Sequence, residues 1–555
     1  MKTNRTDTIY KNSILKTAFI IFCAVLLYTV PSTFFLDFIR DTEADRTLIS
    51  MEMARGSSWT VPHLLGQEFL TKPPAFYWAQ ALSIIATGSE KEWAARLPSA
   101  VATAIMVMAI YLFIKIEGDK SQIKPDLTVN KKAITTAAIL ATTGAIFRLS
   151  IAAEIDMMFT MLITLSLLGG YYTVTTSSIK YKIMAALAFQ LFAALAFLTK
   201  GPPVFLFSWL PVIIFFIVYS ISKNNTDKTK KTFKQSLFHF TCANVTGLLL
   251  FSAITGAWIN AVINELGSEK VIDHWNYQVV DRVTGKDGEH TQSGRGALFY
   301  IKAIGKGSIP WTPFLILALF QWYRKKANLN YKKQELNEKN ENPANLPFIF
   351  ALVVIIPSLI GLTIPAGKAS RYMLPLWPFF AIIISEAISK WNTTESKKDK
   401  IITGIVITII LLRIPWCFGY ARIRNEKKSP RPMAASISEL VPKGQNIYIL
   451  MLMERWICYY LITSENKTVL RLNTEIVDKW QSDDSSSNPV FILMSNHNKT
   501  PRDNETWKID KLTGYDEDTT ILKKYTQNKR HFQLIKTSKR AIKKCKLTKD
   551  FFCRK

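Results

Sequence analysis

The apolar residues of this chain come in blocks of about twenty, with the charges gathered between the blocks, and that arrangement leaves few folds open. A run of about 18 or more apolar residues is long enough to cross a bilayer core as a helix. Residues 13–36, 97–115, 202–221, 237–258, 347–365 and 400–420 are all of this kind. One such run could be a buried helix of a soluble protein; six are not. The sequence therefore predicts a polytopic membrane protein, although its 48% hydrophobic content alone would pass for ordinary.

The net charge of +28 would point to nucleic acid in a soluble protein. Here much of the excess sits in short loops between apolar blocks, where the positive-inside bias puts it, and nucleic acid is not expected as a partner. The six cysteines are scattered singly, with no zinc-ligand spacing. Cys23, Cys242 and Cys417 lie in or beside apolar blocks and read as packing residues, while Cys545 and Cys553 are a weak candidate pair. The first apolar block is too long for a signal-peptide core and reads as a retained anchor.

Loop charges set a topology. Lys2, Arg5, Lys11 and Lys16 place the N-terminus in the cytoplasm, and Lys115, Lys120, Lys124, Lys131 and Lys132 place the loop after the next span there too. The apolar piece 75–87 is too short to cross and suits an interfacial helix on the outer face. Spans near 133–151, 157–175, 183–199, 203–221, 237–258, 307–322, 347–365, 373–389 and 400–420 then alternate, giving about eleven in all. The basic loops 222–235, 323–346 and 389–400 all fall inside. After Tyr420 the chain turns polar, so the expected division is a membrane domain over 1–420 and a small outer α/β domain over 421–555. The basic end of that domain, with Lys536, Lys539, Arg540, Lys543, Lys544 and Lys546, reads either as a solvated tail or as a contact for anionic lipid headgroups.

This topology gathers ionisable residues on the outer face. They are Asp41, Glu43, Asp45, Arg46 and Lys72 in the first loop, Glu154 and Asp156 in the next turn, and then Lys200. The long loop 259–306 adds Glu265, Asp273, His274, Arg282, Asp287, Glu289 and His290, and the last turn adds Lys368, Arg371 and Tyr372. Carboxylates and cations at span ends on one face are what an interfacial site needs. Each alone has a plain reading as well: a Lys at a span end is a snorkelling anchor, and Asp156 caps a helix.

Several segments together resemble a known family. Asp41-Thr42-Glu43-Ala44-Asp45-Arg46, Ser50-Met51-Glu52-Met53-Ala54-Arg55-Gly56, Trp59-Thr60-Val61-Pro62, Lys72-Pro73-Pro74 and Tyr77-Trp78 resemble the first outer loop of the bacterial relatives of protein O-mannosyltransferase. That family includes the aminoarabinose transferase acting on lipid A. Glu154-Ile155-Asp156, Leu198-Thr199-Lys200-Gly201-Pro202, Ser308-Ile309-Pro310-Trp311 and Lys368-Ala369-Ser370-Arg371-Tyr372-Met373-Leu374-Pro375 are similar to later family segments, in the same order, up to about residue 420.

The resemblance implies an all-α membrane bundle of the GT-C type, in the inner (cytoplasmic) membrane, with a periplasmic or extracellular site. It implies a sugar donor linked to polyprenyl phosphate and a lipid, glycan or protein acceptor. The acceptor attacks the anomeric carbon, a carboxylate orients or removes its proton, and cations stabilise the departing lipid phosphate. On this reading Glu43, Asp41 and Asp156 are the candidate catalytic carboxylates, and Lys72, Arg282, Lys368 and Tyr372 the candidate donor-phosphate ligands. Glu43 aligns without a shift, ten residues before Met53 and sixteen before Trp59. Two departures stand out. Many members have Asp-Glu where this chain has Thr42-Glu43, which leaves Asp41 as a rival base. Close relatives of the lipid A enzyme have Glu-Lys-Pro where this chain has Thr71-Lys72-Pro73, which argues against a metal site there and against lipid A as acceptor. No cofactor is firmly implied, and a divalent metal stays possible. A transporter is the alternative from another class; it would carry repeats and place its charges at the midplane. A membrane scaffold without catalysis is a third.

Overall fold

The computed structural model describes residues 2–120, 127–226, 233–276, 298–331, 346–365, 367–449, 455–472, 476, 479–480, 489–496, 519–527 and 530–539. Two compact units appear. One comprises Met1–Phe34, Leu70–Ala79 and Arg96–Pro415; the other comprises Phe35–Phe69, Gln80–Ala95 and Trp416–Lys555.

The first unit is a helical bundle. Among the described residues nine helices are long and apolar enough to cross a membrane, and a bent pair, Thr128–Thr142 and Gly144–Ser150, makes a tenth if counted as one span. Ile20, Leu249, Ile356 and Leu411 are each more than half exposed, as lipid-facing residues are. The chain is a multi-pass membrane protein. The expected count of about eleven falls short at 307–322. The helix there runs Thr312–Tyr331; its 20 residues are long enough, but its apolar part ends at Arg324 and Lys325, so its composition keeps it out of the nine. The 75–87 piece is a separate helix, Ala75–Thr87, at about 20 Å too short for a bilayer core.

The hairpin Ile155–Thr175 and Ile179–Lys200 forms the centre of this unit. Its helices touch closely because Gly169 lacks a side chain: a Cβ there would lie 2.7 Å from the Phe189 amide nitrogen. Helix Phe233–Leu266 approaches in the same way at Gly247, where a Cβ would meet the Ala186 carbonyl at 2.6 Å. The 61° bend of the Thr128–Ser150 pair frees backbone groups, and the Gly144 N–H donates to the Ile309 carbonyl at 3.0 Å. At the end of the bundle where Ile155–Thr175 finishes, charges pair off. Glu386 holds Lys132 and Lys390, Lys131 meets Asp399 at 2.7 Å, and Tyr171 Oη donates to Glu117 at 2.7 Å.

The second unit contains a five-stranded sheet. Its strands are β3 (Ile447–Ile449), β4 (Val469–Arg471), β5 (Pro489–Asn496), β6 (Thr520–Gln527) and β7 (Arg530–Ser538), in spatial order β4-β3-β5-β7-β6. β3 runs parallel to β4 and β5, while β5–β7 and β7–β6 are antiparallel. The parallel pair β3–β4 brackets helix Arg455–Thr463, which is the crossover a parallel connection requires. Leu472, Trp480, Val490, Ile492, Met494 and Ile535 fill one face of the sheet.

The first loop folds with this sheet. It contributes helix Asp41–Ala54 and a small hairpin of β1 (His63–Leu64) and β2 (Gln67–Glu68). The hairpin turns at Leu65 and Gly66, with φ of 54° and 76°. Positive φ at both central positions is the type I′ pattern, which Leu tolerates poorly. Glu52 compensates: its carboxylate accepts the Leu65 N–H at 2.5 Å and the Gly66 N–H at 3.3 Å. Burial, the largest influence, pushes Glu52 above its ordinary value of 4.5 against the pull of those two N–H groups.

Candidate active site

In the membrane unit, Asp156 and Lys200 meet by helix arithmetic. The helices Ile155–Thr175 and Ile179–Lys200 are antiparallel, of 21 and 22 residues, and joined by 176–178, so the start of one lies level with the end of the other. Each charge also suits its helix end, the carboxylate in the first turn and the ammonium in the last. Gly201 ends the second helix with φ 79° and its N–H on the Phe197 carbonyl at 2.7 Å. Lys200 Nζ donates to Asp156 Oδ1 at 2.6 Å, with side chains 13% and 3% exposed. Nζ also lies 5.3 Å from the ring centroids of Phe159 and Tyr372. Tyr372 belongs to the short 3-10 helix Ser370–Leu376, which packs on Ile155–Thr175. The Arg371 guanidinium is 6.0 Å from the Tyr372 ring, and Lys368 Nζ donates to the Pro365 carbonyl at 3.3 Å. Glu154 is 2% exposed, and its carbonyl accepts from Ser99 Oγ at 3.3 Å.

Of the candidates, the structure thus brings together Asp156 and Tyr372, with Lys200 against both. Lys72 and His274 lie in the same unit, with His274 Nε2 bonded to the Leu70 carbonyl at 2.8 Å. Glu43 belongs to the second unit. It sits on helix Asp41–Ala54, 4% exposed, and its carbonyl accepts from Thr47 Oγ1 at 2.9 Å. That helix packs against Arg455–Thr463 and is joined to it by an ion pair of Asp45 with Arg455. The Asp41 side chain, Arg282, Asp287, Glu289, His290, Cys545 and Cys553 lie outside the described residues. Among the described residues no three His, Cys, Asp or Glu side chains converge to hold a metal.

Lys200 carries no role in the reading of the sequence beyond its place in a Lys-Gly turn. The signal that finds it is the near-equal length of two consecutive apolar helices across a short link.

The sequence profile of the dolichyl-phosphate-mannose-protein mannosyltransferase family matches residues 71–255. An undecaprenyl phosphate-α-4-amino-4-deoxy-L-arabinose arabinosyl transferase of Proteus mirabilis is 26% identical over 61% of this chain and 53% of its own length. A protein of the same name from Pseudomonas aeruginosa is 25% identical over 65% of this chain and 58% of its own. The chain thus spans little more than half the length of the relatives it matches. The crystal structure of ArnT from Cupriavidus metallidurans bound to undecaprenyl phosphate superposes with a TM-score of 0.61 at 14% identity, covering 95% of this chain and 98% of that one. In sequence this chain therefore resembles the bacterial relatives of protein O-mannosyltransferase, and it has their GT-C fold.

Proposed function

We propose that the chain is a membrane glycosyltransferase that moves a sugar from a polyprenyl-phosphate-linked donor to a lipid, glycan or protein acceptor on the outer face of the inner membrane. The observation that carries this reading is the buried Asp156–Lys200 pair beside Tyr372, at one end of a GT-C bundle whose other end gathers Lys115, Lys120, Lys131, Lys132 and Lys390. A lysine-rich end suits the cytoplasm and leaves the Asp156 end outside. With it go a cytoplasmic N-terminus and an outer domain over 421–555. The sequence likeness to proteins named as sugar transferases favours this reading over the transporter alternative.

In the proposed reaction an acceptor oxygen attacks the anomeric carbon as the bond from that carbon to the phosphate oxygen breaks. Glu43, or Asp41 in its place, takes the acceptor's proton, and Asp156 orients the acceptor. The bonding pair leaves with the polyprenyl phosphate, whose growing charge meets Lys72, Arg282, Lys368 and the Tyr372 hydroxyl.

The test is sugar transfer in membranes from a polyprenyl-phosphate donor. Glu43→Gln keeps size and polarity and should lower turnover about 10²-fold or more with protein level unchanged. Normal turnover in Glu43→Gln beside a dead Asp41→Asn would move the base to Asp41.

A further inference from the structure

Residues 35–69 and 80–95 of the first outer loop fold as one unit with the chain from Trp416 onward, and besides the Asp45–Arg455 pair the guanidinium of Arg431 joins them. Arg431 Nε donates to Asp37 Oδ1 at 3.0 Å, and Nη2 donates to Glu92 Oε1 at 2.6 Å. Its guanidinium stacks 4.6 Å from the Tyr460 ring centroid. Tyr460 Oη in turn donates to Glu92 Oε1 at 2.7 Å and accepts the Phe38 N–H at 2.8 Å. Burial and the neighbouring carboxylates raise the Tyr460 hydroxyl, so it stays protonated as the donor this arrangement needs. Asn425 adds two bonds, taking the Asp37 N–H at 3.2 Å and donating to the Phe35 carbonyl at 2.8 Å. Phe38 is fully buried and meets the Tyr459 ring at 4.8 Å.

Two residues separate Asp37 and Phe38 from helix Asp41–Ala54, and Glu92, near the end of the segment Gln80–Ala95, opens helix Glu92–Lys120. Arg431 therefore fixes both flanks of the loop that carries Glu43. A planar guanidinium that bridges two carboxylates and stacks on a ring sets direction as well as charge.

We propose that Arg431, with Tyr460, is a positioning residue for the first outer loop, so that the region after Trp416 sets the geometry of the catalytic carboxylate without touching substrate. This rests on the reading under Proposed function. It assigns the C-terminal region a part in turnover that its distance along the chain from the family segments would not suggest.

The experiment uses the full chain in mixed micelles and compares wild type, Arg431→Met, Arg431→Lys, Glu43→Gln and the double variant Glu43→Gln/Arg431→Met. A small shift of a reacting group costs about 10²-fold, so Arg431→Met should lose turnover on that scale while binding polyprenyl phosphate as wild type does. Arg431→Lys, which keeps the charge but not the fork, should recover part of it. In the Glu43→Gln background Arg431→Met should cost less than about threefold more, because there is no carboxylate left to misplace. Trypsin should cut faster after Arg55, which is 52% exposed, in Arg431→Met. Wild-type turnover in Arg431→Met, or losses that multiply in the double variant, would overturn the proposal. If wild type itself moved no sugar, the functional reading would fail, and unchanged cleavage at Arg55 would separately refute the clamp.

Discussion

Replacing Lys200 by Met should destabilise the protein more than replacing Asp156 by Asn, and removing both charges should cost less than removing Lys200 alone. The Asp156 side chain is 3% exposed and its ion-pair partner lies 2.6 Å away. Lys200→Met removes the cation paired with that buried carboxylate, which costs about 3–5 kcal/mol. Asp156→Asn leaves an ammonium that keeps two aromatic faces at 5.3 Å, each able to offset about 0.5–1 kcal/mol. That side chain is also more exposed, and its stem can reach toward water. The cost there should be about 1–3 kcal/mol. In Asp156→Asn/Lys200→Met neither charge of the pair remains, and the penalty should fall to about 2 kcal/mol or less, a coupling of at least about 2 kcal/mol. The assay is unfolding in mixed micelles by increasing SDS fraction, followed by tryptophan fluorescence. Additive single costs, or a Lys200→Met variant within about 0.5 kcal/mol of wild type, would refute the claim that the two groups compensate each other in a low-dielectric site.

Lys72→Met and Lys368→Met should each weaken binding of polyprenyl phosphate, read by titration of the purified protein; unchanged affinity in both would make these lysines anchors. Glu52→Leu orphans the Leu65 and Gly66 N–H groups and should cost about 1–3 kcal/mol for each, whereas Glu52→Gln keeps one acceptor and should cost less. Because burial raises Glu52, its contribution to stability is complete below 4.5 and is lost as the pH climbs through the raised value; Glu52→Gln should flatten that slope in a pH series of unfolding curves. Cysteines at Thr232 and Ser486 should label from opposite sides in intact cells, Ser486→Cys alone from outside; outer labelling of Thr232→Cys would reverse the topology.

The spans were legible because bilayer thickness imposes a length that apolar runs report directly. The exception at Thr312–Tyr331 is instructive, since the run was read by its apolar start and not by the Arg324 and Lys325 that cut it short. Asp156 was legible as a helix-opening acid, but its partner was not, because pairing depends on which helices stand together. The alliance of Asp37 and Glu92 with Arg431 left no local trace at all. It joins residues 394 and 339 positions apart, and each of them reads as a solvated charge in its own window. The hairpin at Leu65 escaped for the opposite reason: leucine is a poor turn residue, and only the Glu52 carboxylate makes the turn affordable.

That distance along the chain has a consequence for how the protein is made. The first loop leaves the ribosome early, while Arg431, Tyr460 and Arg455 follow some four hundred positions later; the Phe38 amide and its Tyr460 acceptor are 422 residues apart. At about 5–20 residues per second the loop waits roughly 20–80 s for its partners. During that interval Asp37, Asp45 and Glu92 can be held by water, but the apolar ring of Phe38 has no such substitute. A nascent chain whose spans have all left the ribosome, but whose Arg431 and Tyr460 have not, should therefore present a complete set of spans with an unsettled loop, and its maturation should be timed by translation of the last stretch and not by insertion of the helices.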